Sequence, residues 1–351
     1  MEPVTHFLSG ACLGRAGFNR TTGLATLTLT LASEAPDVDI ISSFWGPAVG
    51  FAHHRGFTHT FLGAPVMAAL ITAFVWLLYT MWWSRNGRRT KVPIRWGVLY
   101  ALALLGSLVH ILLDFTNNYG VRPFAPFIPR WYSWDIVFIV EPVLLAVLTA
   151  ALIFPSIGAL VQTEIGGKKP VFRGQLAAVL ALLAMVTYWF VRDAQHRHAM
   201  AILESRQMQT GETLRVGAMP YPVNPFRWFG VVETPNAMET YDVRPSQLQI
   251  TSYGREGTYY KQPETPLDLA AKSSYLGRVY LDWARFPITR TSPSDDDNET
   301  TVWFRDIRYA YSVIPSRSES DDDPKNILGA HVVLDQQGRV IEQWMDDRRQ
   351  K

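Results

Sequence analysis

Two histidines flank an arginine in His54-Arg55-Gly56-Phe57-Thr58-His59, where a polar N-terminal stretch meets the first long apolar run. Neutral imidazole is the commonest side-chain metal ligand, and an ionisable group at membrane depth marks a functional position by default. Further along, His110 and Asp114 lie one helical turn apart, so their side chains share a face. Asp37 and Asp39 sit in an acidic loop before the first apolar run, and Glu141 stands just before Pro142. These are imidazole and carboxylate donors, and with Cys12 the single cysteine there is no thiolate cluster and no internal disulfide. Such a set suits zinc, manganese or iron. Of His53 and His54, the second is expected as the ligand because it adjoins Arg55-Gly56.

The elements that must position these residues follow from a break in composition. Up to about Arg192 the chain is dominated by Leu, Ala, Val, Ile, Phe and Trp; beyond it come charged residues, Gln, Ser and Pro. This predicts a mainly α membrane half over residues 1–208, followed by a β-rich soluble domain over 209–351. Four apolar runs can each span a bilayer as a helix: Thr60 to Trp83, Trp96 to Phe115, Ile136 to Val161 and Leu176 to Val191. The last is expected to continue as a helix through Gln195 and Met200. Val4 to Leu13 and Leu24 to Ala32 fall short of a span and read as short or re-entrant helices.

Arg85, Arg88, Arg89, Lys91 and Arg95 follow the first run, and Lys168, Lys169 and Arg173 follow the third. The positive-inside rule puts those loops in the cytoplasm. His54, His59, Asp114, Asp135 and the C-terminal domain then face outward from a cytoplasmic (inner) membrane. In an up-and-down bundle His59, His110, Asp114, Asp135 and Glu141 lie at one level, within reach of Asp37 and Asp39 in the preceding loop. Charges in hydrocarbon cost several kcal/mol unless paired, so their gathering at one end argues for a shared partner. The plainer alternatives are a buried hydrogen bond for His110–Asp114 and a kink residue for Glu141. Asn117, Asn118 and Tyr119 read as loop formers, and His196, His198 and His331 stand apart from the constellation.

In the soluble half, Arg227–Glu233, Val279–Trp283, Thr301–Ile307 and His331–Leu334 read as strands. A hairpin is expected between Val332–Asp335 and Val340–Trp344, turning at Gln337-Gly338. Asp295–Asp297 and Asp321–Asp323 read as solvated loops. A net charge of +2 gives no electrostatic case for nucleic acid.

Thr5-His6-Phe7, Pro36-Asp37-Val38-Asp39, His54 to His59 and His110-Ile111-Leu112-Leu113-Asp114 come in this order, followed by Gly120 and Pro123-Phe124. Together they resemble the YdjM-like family of membrane-bound metal-dependent hydrolases, over residues 1 to about 150. Asn224 to Trp228 and Trp283 to Pro287 resemble the soluble extension of some members. The ordered motif is similar, more remotely, to zinc-dependent phospholipases C. This resemblance implies His6, Asp37, His59, His110, Asp114 and Glu141 as ligands of zinc or manganese, with room for more than one ion. The implied reaction is hydrolysis of a phospholipid or other lipid-borne phosphoester by water that the metal activates. Asp39 or Asp37 would serve as base or bridging ligand, and Arg55 would stabilise phosphoryl charge. Two competing expectations are an envelope protein stapled by a structural metal and a transporter. Against the second, the polar groups crowd one end and no inverted repeat is visible.

Overall fold

Pro3 opens helix α1 (Pro3–Arg15), where a missing N–H goes unnoticed, and the Glu2 carboxylate caps it by accepting from the Thr5 amide. Helix α2 (Ala25–Glu34) follows, and at 13 and 10 residues neither is long enough to span a membrane. This computed structural model describes residues 1–87, 90–164, 174–252, 257–294, 298–310 and 328–350. A 3-10 stretch (Ala35–Trp45), helix α3 (Pro47–His53) and a 3-10 turn (Phe57–His59) lead to α4 (Gly63–Leu78), which runs on as a π turn (Tyr79–Ser84). Then come α5 (Trp96–Thr116), α6 (Pro142–Glu164) and α7 (Gln175–Glu204).

Gly63–Ser84, Trp96–Thr116, Pro142–Val161 and Gln175–Glu204 are long and apolar enough to cross a bilayer, as the sequence predicts. Half of the α5 window is buried, against 22–28% of the other three, so α5 is the most enclosed span. Its polar residues are therefore walled by protein while Leu70, Phe74, Phe154, Leu180 and Phe190 on the other spans face outward. The third run starts later than expected. Residues 136–141 are not helical: the Ile136 and Val137 amides donate to the Thr116 carbonyl at 3.0 and 3.2 Å, closing the end of α5. Pro142 then starts the helix.

Small residues let α2 approach both α1 and α5. A Cβ on Gly10 would lie 2.7 Å from the Leu29 carbonyl oxygen, and one on Gly106 would lie 2.8 Å from Ala32 Cβ. On the other side of α1, Leu8, Cys12, Leu113, Ile136, Leu144, Leu148 and Met185 form the apolar core of the bundle.

The chain folds into two compact units, Met1–Asp39 with Arg55–Asp193, and Ile40–His54 with Ala194–Lys351. The second contains two antiparallel sheets. The first runs β1 (Arg215–Pro220), β2 (Trp228–Glu233), β3 (Ala237–Arg244), β4 (Gln249–Ser252), with β5 (Thr258–Tyr260) also on β3. Helices α8 (Pro266–Ser273) and α9 (Tyr275–Trp283) precede the second sheet, ordered β10-β9-β8-β7-β6. Its strands are β6 (Pro287–Pro293), β7 (Glu299–Asp306), β8 (Ala330–Asp335), β9 (Val340–Met345) and β10 (Arg348–Arg349). The expected β8–β9 hairpin is present. Val279–Trp283, expected as a strand, is the end of α9. Ser274 caps that helix by accepting from the Gly277 amide, and Leu276, Tyr280 and Trp283 form its buried face. Phe51 of α3 packs edge-on against Trp283 at 5.0 Å, which anchors the 40–54 segment to this unit. Arg88, Arg89, Lys168, Lys169, Arg173 and both acidic runs, Asp295–Asp297 and Asp321–Asp323, lie outside the described residues.

Gly106→Ala is expected to force α2 and α5 apart and to destabilise the fold by about 1–3 kcal/mol. Thermal unfolding of the detergent-solubilised protein checks this: an unchanged Tm would mean that the close approach is not needed.

Candidate metal centre

Four donors from three different elements meet inside the first unit. His59 comes from the turn before α4, His110 and Asp114 from one face of α5, and Asp37 from the 3-10 stretch after α2. The first three are buried, and the Asp37 side chain is 21% exposed, which makes it the side of the group nearest to solvent. His59 Nε2 lies 2.9 Å from His110 Nε2 and 3.3 Å from both Asp37 Oδ1 and Asp114 Oδ2. His110 Nε2 lies 3.4 Å from Asp114 Oδ2 and 3.6 Å from Asp37 Oδ1. Ligand bonds of about 2.0–2.1 Å in a tetrahedron put donors roughly 3.3–3.4 Å apart. The group therefore fits a divalent ion at its centre.

The outer partners argue the same way. His110 Nδ1 is 2.7 Å from the Ser33 carbonyl, which can only accept, so Nδ1 carries the proton. His59 Nδ1 is 3.1 Å from Asp39 Oδ2, which fixes the same tautomer. In neutral rings both Nε2 atoms then present lone pairs to each other across 2.9 Å. A cation must stand between them or a proton must be added. Burial lowers the His59 pKa, but hydrogen bonds to Asp114, Asp37 and Asp39 outweigh it and raise it to about 10. Burial likewise works against ionised Asp37, and the His110 and His59 hydrogen bonds overcome it, holding the carboxyl below the usual range.

Asp39 is the joint of this arrangement. Its Oδ2 accepts from the Arg55 amide at 2.8 Å and the Thr58 hydroxyl at 3.0 Å as well as facing His59. Arg55 has φ 54°, a left-handed conformation that turns the chain toward the site. Its guanidinium donates to Asp114 Oδ1 and the Gly120 carbonyl, each at 2.8 Å, and to Asn117 Oδ1 at 3.2 Å, over the Tyr119 ring. Asn117 and Tyr119, expected only as loop formers, thus hold the arginine that holds a ligand.

Asp114 faces two ways. While Oδ2 meets His59 and His110, Oδ1 meets Arg55, the Met1 amine and His6 Nε2, the last at 3.3 Å. His6 is fully buried, stacks on His110 at 3.8 Å, and neither of its ring nitrogens has a well-formed hydrogen bond. Burial first, then the charges of His110 and the terminal amine, push its pKa down to about 3, so it keeps a lone pair. Glu141 stands elsewhere, buried against Tyr188 and Arg192 of α7. His54 closes α3 in the second unit and is outside the four-donor group. Glu34 is a residue that sequence reasoning passes over. Burial and then Asp37 raise its carboxyl to about 7, with His110 opposing, and its Oε1 is buried without a hydrogen bond.

Comparison with known proteins covers the helical half. The YdjM inner membrane protein family matches residues 1–199, a range that holds every donor described above. The "Uncharacterized protein YfhP" of Bacillus subtilis (strain 168) is 27% identical over 150 residues, or 40% of this chain. The match spans 42% of that relative, less than half its length. No solved structure matches the chain.

Metal uptake at neutral pH is expected to release protons, because His59 is protonated below about 10 and must bind as the neutral ring. Affinity should rise with pH, measured by titration calorimetry in buffers of different ionisation enthalpy; pH-independent binding would contradict it. The metal-free fold responds in the opposite direction. The raised His59 pKa contributes stability that is complete below about 6.5 and is lost as pH rises through about 10. Asp39→Asn should weaken metal binding about 10–100-fold without abolishing it, whereas His110→Ala should release the metal. Full metal content in His110→Ala would remove the site.

Proposed function

The chain belongs to the YdjM inner membrane protein family, and we propose that it is an integral membrane hydrolase, metal-dependent and acting on a lipid-borne phosphoester. The observation that carries this is the pair of imidazole Nε2 atoms 2.9 Å apart, with two carboxylates aimed at the same point. Two nitrogen and two oxygen donors without thiolate favour zinc, with manganese next. A divalent ion held there supplies Lewis acidity and lowers the pKa of water from about 16 toward 7.

The chain's own residues do the remainder. Asp37, the ligand nearest to solvent, stands where water and substrate reach the group. Asp39 keeps His59 in its tautomer and position, an orienting role in place of a base. Arg55 neutralises Asp114 and fixes its carboxylate between the two imidazoles and His6. Glu34, whose carboxyl pKa is raised by burial, donates a proton to the leaving oxygen as the ester bond breaks. The basic residues Arg85, Lys91 and Arg95, between the π turn that ends α4 and the start of α5, support a site on the extracytoplasmic side, since His59 precedes the other end of α4.

A second reading has its own observation. Asp37, His59, His110 and Asp114 already complete a four-coordinate shell, and structural metal sites are closed in this way. Turnover separates the two. Purified protein in mixed micelles is expected to hydrolyse a phospholipid or phosphomonoester in a screen, and Asp114→Asn to abolish this. Tightly bound metal with no turnover across the screen would favour the structural role. Glu34→Gln should lower turnover while metal content stays unchanged. Unaltered turnover would take Glu34 out of the reaction.

A further inference from the structure

The turn that carries His59 has two faces. His59 and Thr60 are buried, whereas Phe57, Phe61 and Leu62 are about half exposed. Beside it, the segment after α5 folds into a ribbon. Val121 and Tyr132 exchange both backbone hydrogen bonds at 2.8 Å, and the tip between them exposes Phe124, Phe127 and Ile128. Phe127, at 81%, is among the most exposed large apolar side chains described. The two pieces are joined, since the Phe61 amide donates to the Pro123 carbonyl at 2.8 Å and the Phe61 and Phe124 rings meet edge-on at 5.3 Å. The Arg55 hydrogen bond to the Gly120 carbonyl ties the ribbon to the metal centre itself.

Formal charge on the two exposed segments has one sign. From Asn117 to Trp134 there are two arginines and no Asp or Glu, and Phe57 to Leu62 has no acid either. Arg122 lies over the Trp131 ring at 4.5 Å and Arg130 over the Tyr132 ring at 5.5 Å. Trp and Tyr collect at the head-group level of a bilayer, and arginine beside them lets its stem lie in apolar surroundings while its charge meets phosphate. The rim begins just past Thr116, where the α5 span ends. An apolar tip, an aromatic base and two cations at that depth describe a surface matched to an anionic lipid and to neither water nor a neutral protein face.

We infer that the 57–62 turn and the 121–130 ribbon form a docking surface for an anionic phospholipid, at the lip of the metal centre. Acyl chains lie along Phe57, Phe61, Phe124 and Phe127, and the head-group phosphate meets Arg122 and Arg130. In naming the substrate class this rests on the hydrolase reading; binding of the lipid by itself does not.

The test uses the whole chain in nanodiscs, with a fluorophore on Phe127→Cys; Cys12 is buried and spared from labelling. Lipids carrying a quencher on the acyl chain are expected to quench the label. Mass spectrometry of lipid retained from discs of equal phosphatidylglycerol and phosphatidylcholine is expected to show enrichment of the anionic lipid. Arg122→Gln with Arg130→Gln should reduce that enrichment, by about fivefold for each basic side chain lost at an anionic surface. Bound metal should stay unchanged. A label untouched by the lipid quencher overturns the inference, whether it meets water or a second copy of the chain. Equal retention of phosphatidylglycerol by the wild type and the double variant overturns it too. Neither readout needs turnover, so a failed hydrolysis screen and a failed lipid surface are told apart.

Discussion

Two ring nitrogens that have both committed their partner atoms elsewhere face each other at 2.9 Å in the interior of a helical bundle. Ser33 holds the far side of one ring and Asp39 the far side of the other, so neither can turn away. Two carboxylates then add negative charge at the same point. In a low-dielectric interior like charges and opposed lone pairs are far more costly than in water. A proton on His59 relieves part of this, and a divalent cation relieves all of it. Most of the helical unit can be understood as the scaffold that keeps these four atoms from moving apart.

The scaffold works by close approach. α5 is the most enclosed of the spans and offers His110 and Asp114 from consecutive turns of one face. Gly10 and Gly106 let α2 press against α1 and α5, which brings the Ser33 carbonyl onto His110 and lets His6 stack on the same ring. The left-handed Arg55 links the loop before the first span to the segment after the second. One carboxylate, Asp39, collects three donors from residues 55–59 and so sets where His59 points.

Much of this is legible in the sequence, for physical reasons. A bilayer demands long apolar runs, so the four spans are plain. Helical periodicity puts His110 over Asp114, and the order of motifs brings in Asp37 and His59. The roles of Asp37 and Asp39 are not separable there, because nothing in their two-residue spacing tells which side of a 3-10 stretch faces the ring. A backbone carbonyl such as Ser33 leaves no trace in residue types. Glu141 resembles a rim ligand because Ile136–Val140 is apolar enough to read as helix, yet that stretch is spent closing the end of α5. α9 reads as a strand because its nine residues mix aromatic and β-branched types, and only its Ser274 cap signals the helix.

X-ray absorption at the edge of the metal carried by the purified protein probes the convergence itself. The expected spectrum has two imidazole rings, identified by their outer-atom scattering, together with oxygen donors at about 2.0–2.2 Å and no sulfur. A protein purified without stoichiometric metal, or a spectrum with sulfur or without imidazole, would contradict the centre built from His59, His110, Asp37 and Asp114.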